Sequence, residues 1–567
     1  MDIGRVESSF SPSTYGRKAA YSAKGGMVAS AFPDATQAGV EMLKKGGNAV
    51  DAACATAFAL GVCEPQASGI GGQSMCIMHM DKKSVAIDGS SRSPSRAHSS
   101  AYRAKRRRLL GYKAATVPST VAVLGIMHER YGALEWQKVL APAIRIARRG
   151  YRITKLQSRI QAKELENFLS IKSRSGARYF LKDGQVPYEA GDRFVQGDLA
   201  QTLRAISDSG YQSFYRGSIA KRIDQDMQRN GGLVREEDLA YIPEPIERAP
   251  IRRQYRDVSV VTMPPPAAGL TLLLTLMMLN HLPSKFLRSK KPSSYHFVAE
   301  TFRKAFWHRV LRPFNPHTYS QMHDMHYHHL KRSFARQMAD SIHNSMDDTL
   351  PIMDHAFGGD EDEGGETTHL SVMDDEGNAV GITQSIELPY GSKAVADGLG
   401  FLYNNYMSAF DFENTMNPFY IRPNEVPWTS VSPALIFHDK RLWMVVGSPG
   451  SQRIFSTVAQ FLMGVVDGSL PIDASMYLPR LHCTIGGEIG IEDGAFEKPV
   501  TRYLEGLGYK VVVRDRFSFY HGAVHAVMRM QTRDGFQGVA EVRRDGTAAS
   551  AGSGAEKSGS RRGGDHP

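Results

Sequence analysis

Gly364-Gly365-Glu366-Thr367-Thr368-His369-Leu370-Ser371-Val372 is the stretch whose reading decides the fold. An acidic, glycine-rich run from Gly358 to Glu366 precedes it. After it the residues alternate as in a strand, turn at Asp374-Asp375-Glu376-Gly377-Asn378, and resume as a second strand, Ala379–Ile386. Taken alone, this is a loop feeding a hairpin, since Ser and Thr commonly open strands. It is also how a chain looks if it cuts itself before Thr367 and uses the freed threonine as a nucleophile. A threonine hydroxyl needs a base to take its proton. An N-terminal Thr367 would carry one in its own α-amine, whose pKa of about 7.7–8.0 suits general-base work near neutrality.

Downstream of Thr367 the pattern is β. Strands are predicted at Ser430–Phe437 and Leu442–Val446, joined by His438-Asp439-Lys440-Arg441. Gly447-Ser448-Pro449-Gly450-Ser451 then turns the chain into a helix, Gln452–Val466. The backbone N–H groups of Gly450 and Ser451, with the helix dipole behind them, are candidate donors to a developing oxyanion. Strands recur at Lys510–Val513, Ala523–Arg529 and Gln537–Glu541, and residues 545–567 read as disordered from their Gly, Ser, Ala and charge content. No separate Ser-His-Asp set stands out.

Upstream the pattern is mainly helical. Residues 1–25 read as a loose arm and Gly26–Ser30 as a short strand. A helix from Asp34 stops at Gly46-Gly47, since glycine accepts the left-handed cap. Asn48 caps a second helix, Ala49–Val62, which is apolar on nearly every face and therefore buried. Ser68-Gly69-Ile70-Gly71-Gly72-Gln73-Ser74 has the look of a phosphate loop, but it follows a helix and precedes a strand, the reverse of the dinucleotide fingerprint. It reads as a place where backbones pack tightly. A hairpin at Met75–Met80 and Ser84–Asp88 follows, and helices are predicted at Val117–Tyr131, Trp136–Arg149, Lys155–Ser170, Gln201–Gly210, Gly217–Asn230, Leu270–Leu279 and Ser294–Phe306.

The 567 residues are 42% apolar, with a formal charge of +11. That is ordinary for a globular protein. The basic run of Arg103, Lys105, Arg106, Arg107 and Arg108 has only Tyr102 and Tyr112 for aromatic company, so a solvated loop is expected and no nucleic-acid partner. His317, His323, His326, His328 and His329 cluster without a cysteine, and the nearby Asp324 falls on another helix face, so no metal and no cofactor is expected. Cys54, Cys63, Cys76 and Cys483 form no CxxC motif and fit a reducing compartment. With no apolar leader at the N-terminus and no run long enough to span a bilayer, a cytoplasmic protein without a membrane partner is expected.

From about Gly26 to Ala548 the chain resembles the γ-glutamyltranspeptidase (glutathione hydrolase) family of N-terminal nucleophile (Ntn) hydrolases. The matching pieces are Gly46 to Ala53, Glu64-Pro65 through Gly69-Ile70-Gly71-Gly72, Val117 to Val121, Leu140 to Ile144 and the turn at 264–269. Thr367-Thr368-His369, Gly377 to Val380, Asn404-Asn405, Ser432-Pro433 and Gly447 to Gly450 continue the match in order. The resemblance implies an α/β, four-layer αββα sandwich and self-cleavage between Glu366 and Thr367. It implies a flexible arm at 1–25, a helix-rich large part at 26–366, a β-rich small part at 367–548 and a disordered tail at 549–567, with the two main parts associated as a heterodimer. The implied reaction is acyl transfer from a small γ-glutamyl or related amide to water or an amine.

Carried over by residue, Thr367 matches the nucleophile, and Ser385 stands where the family has a threonine that positions it. Gly450 and Ser451 match the paired glycines of the oxyanion hole, and Thr429 and Ser430 match two serines that contact the glutamyl carboxylate. The departures fall on glutamyl recognition. The family's carboxylate-gripping arginine aligns with Ser90, its amine-binding aspartate with Ala409, a neighbouring Gln or Glu with Tyr406, and a pocket asparagine with Glu387. Losing such a buried charge pair costs on the order of 2–5 kcal/mol of binding. Arg92, two residues from Ser90, and Glu387 are the candidate replacements, and the segment Phe410–Trp428 is a short lid. An acylase for glutaryl-type side chains, a pathway hydrolase acting on an amino-acid-derived precursor (C–C cleavage included) and an uncleaved scaffold or binding protein stay open.

Overall fold

The structure is a computed structural model that describes residues 20–102, 109–241, 245–311, 329–344, 365–494, 496–530 and 534–552. The basic run at 103–108, the histidines 317–328 and the acidic run ahead of Gly365 lie outside the described residues.

In chain order the strands are β1 (Tyr21–Ala23), β2 (Met27–Ser30), β3 (Gln73–Met80), β4 (Lys83–Gly89), β5 (Tyr151–Arg152), β6 (Arg193–Phe194), β7 (Ile246–Arg248), β8 (Ile251–Tyr255) and β9 (Val258–Thr262). After residue 365 come β10 (Glu366–Met373), β11 (Ala379–Glu387), β12 (Ala434–His438), β13 (Arg441–Gly447), β14 (Leu481–Cys483), β15 (Glu488–Glu492), β16 (Lys510–Arg514), β17 (His525–Arg529), β18 (Phe536–Ala540) and β19 (Thr547–Ser550). Two seven-stranded sheets dominate, ordered β1-β18-β17-β13-β12-β9-β8 and β19-β2-β10-β11-β3-β4-β7.

Period-two alternation gives each sheet two apolar faces. The facing sides meet in one cluster, where Met27, Ala29, Met75 and Ile77 pack with Val261, Leu435, Val445 and Val527. The outer side of the β10 sheet, with Leu370, Val372, Val380 and Ile382, is covered by α1 (Pro33–Lys44), α2 (Ala49–Cys63) and the helices that follow. The outer side of the β13 sheet, with Ile436, Met444 and Val446, is covered by the helices Gly269–Leu279, Pro292–Leu311 and Ile454–Leu462. The result is the four-layer αββα sandwich. α2 is apolar all round because it lies under the sheet and over α1 at once. Asn48 caps it, accepting from Val50 N at 2.9 Å and Asp51 N at 3.1 Å.

The helices Trp136–Arg149 and Lys155–Ser170 run between the predicted residues. Other ends shift by a few positions, as with Thr120–Tyr131 and Gly197–Ser209, because the capping turn and not the periodicity sets them. Two expectations need correction. The loose arm contains β1, paired to β18. The disordered tail contains β19, which pairs with β2 from Thr547↔Ser30 to Ser550↔Met27. Residues of low apolar content are ordered here by borrowed backbone hydrogen bonds. Ala551 N then donates to Gly26 O at 3.0 Å, so the two ends of the described chain lie side by side. The four cysteines are buried, and no disulfide joins them among the described residues. Among the described residues no helix is long and apolar enough to cross a membrane.

Candidate active site

Thr367 opens β10 at the end of the sandwich where the chain arrives from residue 365. Only 5% of its surface is exposed. It faces Ser385 of β11, Glu366 faces Glu387, and a bulge separates the two pairs. The extra residue is Ile386 of β11, so β11 bends opposite the peptide that joins Glu366 to Thr367. Ser385 Oγ donates to the Glu366 carbonyl oxygen at 2.7 Å and accepts from Glu387 N at 2.8 Å. The hydroxyl is therefore fixed on both sides, and it polarises the carbonyl that precedes Thr367. The 68–74 loop secures this arrangement from behind. A Cβ on Gly72 would lie 2.3 Å from Ser385 O, so only glycine lets the loop approach.

The glycine turn converges on the same place. β13 ends at Gly447, and Gly450 (φ 130°) and Ser451 (φ 52°) reverse the chain before a tight turn, Ser451–Arg453, and the helix Ile454–Leu462. A Cβ on Gly365 would sit 3.1 Å from both Cβ and Oγ of Ser451 and 3.0 Å from Glu387 O. Turn, strand and Glu387 thus meet one residue before Glu366. The regular helix is shorter than its apolar pattern predicts, because its first turn is drawn tight and its last, Met463–Asp467, is widened. His369 is no base for this site. Its ring bonds Thr383 Oγ1 at 2.9 Å and Ser371 Oγ at 3.0 Å, and burial pushes its pKa down to about 3, so it is a neutral packing group under Gly447.

Tyr406 is brought to Ser385 and Glu387. It lies in the single turn Tyr406–Ala409, is buried, and its hydroxyl shares hydrogen bonds with Ser385, Gln73 and Glu387. Gln73 is itself fixed, accepting from Ser91 N at 2.8 Å and Ser91 Oγ at 2.9 Å. Glu387 adopts φ 80°, an unusual conformation for a glutamate. Burial pushes its carboxyl up to about 7, against the lowering effect of the Tyr406 hydrogen bond.

The remaining predicted residues are engaged elsewhere. Ser90 Oγ donates to Asp88 Oδ1 at 2.7 Å, and Asp88 pairs with Arg248 at 2.9 Å. Arg92 Nη1 donates to Asn424 O at 2.8 Å, tying it to the segment Phe410–Trp428. Ala409 is half-buried at the end of its turn and offers no charge. Thr429 and Ser430 lead into β12 at the same end of the sheet as the glycine turn. The Thr429 carbonyl accepts from the buried guanidinium of Arg309, which stacks on Trp428 at 3.9 Å. Among the described residues no hydrogen bond joins Thr429 or Ser430 to Thr367.

One buried cluster leaves no local mark in the sequence. Arg544 Nη1 lies 2.9 Å from Glu366 Oε2 and 3.7 Å from Glu64 Oε1. Glu64 was visible as part of a motif, but nothing local marks Arg544 as its partner 480 positions away, and only the packed sheets bring them together.

The model of the gamma-glutamyltranspeptidase family matches residues 35–551. The chain belongs to that family. As a member it is an Ntn-hydrolase-type enzyme. It is 32% identical over 524 residues to the glutathione hydrolase proenzyme of Escherichia coli (strain K12), covering 87% of each chain. It is 30% identical over 555 residues to the acylase ACY 1 proenzyme of Pseudomonas sp. (strain V22), covering 94% of this chain and 95% of the relative. The solved cephalosporin acylase of Bacillus halodurans superposes with a TM-score of 0.84 at 27% identity, covering 95% of this chain and 99% of the other. Glutathione hydrolases and acylases thus both stand among the proteins this chain is similar to.

Proposed function

We propose that the chain is a self-processing amidohydrolase and acyltransferase whose nucleophile is Thr367. The observation that carries this reading is the 2.7 Å hydrogen bond from Ser385 Oγ to the Glu366 carbonyl. In self-cleavage Thr367 Oγ attacks the Glu366 carbonyl carbon. The Glu366–Thr367 C–N bond breaks, the hydroxyl proton passes to the departing nitrogen, and an ester links Glu366 to Thr367 Oγ. Water then adds to that ester, returns a proton to Oγ and leaves Glu366 with an α-carboxylate. The large part, 26–366, and the small part, 367–548, stay associated as a heterodimer. In turnover the free α-amine of Thr367 takes the hydroxyl proton while Oγ attacks a substrate amide. The N–H groups of Gly450 and Ser451 receive the oxyanion, the substrate C–N bond breaks as the α-ammonium of Thr367 returns its proton to the departing amine, and the acyl group passes from Oγ to water or to a second amine.

The acyl donor differs from glutathione. Ser90 and Ala409 carry no charge where the family reads the glutamyl carboxylate and amine, and Glu387 with Tyr406 sets a protonatable carboxyl beside the nucleophile. Arg92, Thr429 and Ser430 are the further candidates for contact with the acyl group. The likeness to acylases supports a side-chain amide as substrate. A denaturing gel with N-terminal sequencing tests the first part: two fragments, the smaller beginning at Thr367, are expected, and a wild-type chain that persists whole overturns it. Turnover of a γ-glutamyl anilide beside a glutaryl anilide tests the second, since efficient use of the γ-glutamyl compound contradicts the altered pocket.

A further inference from the structure

Thr367, Ser385 and the glycine turn account for the attack, but not for what holds the residue that is attacked. Glu366 has no exposed surface, and Glu64 and Arg544 are buried with it. Arg544 Nη1 and Nη2 donate to the two Glu366 carboxylate oxygens at 2.9 and 3.4 Å, and Nη1 also reaches the Thr367 carbonyl oxygen at 3.4 Å. The guanidinium lies over the Phe519 ring at 4.1 Å, so its plane is fixed. One arginine therefore grips the residue on each side of the same peptide bond. Two carboxylates share it, and burial pushes Glu366 up to about 7 and Glu64 up to about 8. The other groups felt by this pair are Arg453 from the glycine-turn helix, Glu164 from the helix Lys155–Ser170, Asp545 beside Arg544, and the Thr368 hydroxyl at Glu64.

We propose that Arg544 is the positioning residue of self-cleavage, clamping the Glu366 side chain and the Thr367 carbonyl so that the bond between them stays presented to the Thr367 hydroxyl. This rests on the self-processing reading above. A bidentate guanidinium fixes direction as well as distance, and the acyl carbon needs both to stay within reach of a hydroxyl on the next residue.

The test is the first-order cleavage rate of pulse-labelled full-length chain made by in vitro translation, followed from roughly pH 6 to 9 across the raised carboxyl range. Arg544→Ala is expected to slow cleavage about a hundredfold and Glu366→Gln about tenfold, with partial rescue by Arg544→Lys. Glu366→Gln also removes the inflection that the Glu366 carboxyl gives the wild-type profile. Because each residue acts through the other, Glu366→Ala combined with Arg544→Ala cleaves no more slowly than Arg544→Ala alone. Should Glu366→Ala and Glu366→Gln both cleave at the wild-type rate with the wild-type pH profile, the clamp is overturned even if Arg544→Ala fails to fold. A wild-type chain that never cleaves overturns the self-processing reading, and the clamp with it.

Discussion

The two halves of the candidate site are built from different materials. The proposed nucleophile half uses backbone and hydroxyls: the Glu366–Thr367 peptide opposite the β11 bulge, Ser385 Oγ, and the reversed turn at Gly450 and Ser451. The recognition half uses side-chain charge: Glu387 beside Tyr406, Arg92 held to Asn424, Ser90 held to Asp88. Backbone geometry tolerates a Thr-to-Ser or Gly-to-Ser exchange because the donating group survives it. Charge recognition does not tolerate Arg-to-Ser, because nothing of the bidentate grip remains. On the proposed function, a reaction core stays fixed while the acyl pocket beside it is rewritten.

The largest effect that would break this division is at the nucleophile. Thr367→Ala is expected to abolish both fragment formation and turnover, by at least about 10⁴-fold, read on gels and by anilide release. Next comes Ser385→Ala, which removes the polarising donor and slows cleavage by roughly 10²–10³-fold, while Ser385→Thr keeps it. On the recognition side, Glu387→Gln is expected to change KM more than kcat, and to flatten a pH dependence centred near 7, the value to which burial raises this carboxyl. Equal losses in cleavage and in turnover would mean the two halves are not separable.

A smaller effect concerns stability. Glu64, Glu366 and Glu387 all have raised folded pKa values, about 8, 7 and 7. Such carboxyls contribute stability that is fully present below their unfolded value, about 4.3, and is lost as pH rises through the folded values. Tm measured for the Thr367→Ala chain is therefore expected to fall between roughly pH 5 and 8, and to fall less in Glu64→Gln. A Tm that rises over that range sinks this assignment. The smallest effect is Gly365→Ala, whose new methyl must press on Ser451 and Glu387 O and slow cleavage several-fold at most.

What was legible in the sequence follows the same division of materials. The glycine turn and the helices Trp136–Arg149 and Lys155–Ser170 announce themselves by local pattern, whereas Thr367 by itself reads as the opening of a strand and stands out only through the family resemblance. The strands β1, β7, β8 and β19 do not, and all four lie at the edges of the two sheets. An edge strand is ordered by one neighbour and often carries polar side chains, as Arg252 and Arg253 do in β8. Such a segment looks like loop until its partner is known. The Arg544 clamp was hidden for a related reason: its meaning lies in a residue nearly two hundred positions earlier. Tyr406 and Glu387 were found only as departures from a family pattern, and their shared hydrogen bonds needed the fold.

One feature of the sheets reaches beyond mechanism. Gly26 and Ala551 are joined by a backbone hydrogen bond, so the ends of the described chain can be bridged by a short linker, while Glu366 and Thr367 mark a natural place to open it. A circular permutant that begins at Thr367 and runs through the linker to Glu366 would keep the order of both sheets. Once its initiator methionine is removed it would carry a free threonine from synthesis. Such a chain would separate what maturation demands of this fold from what turnover demands, within one polypeptide.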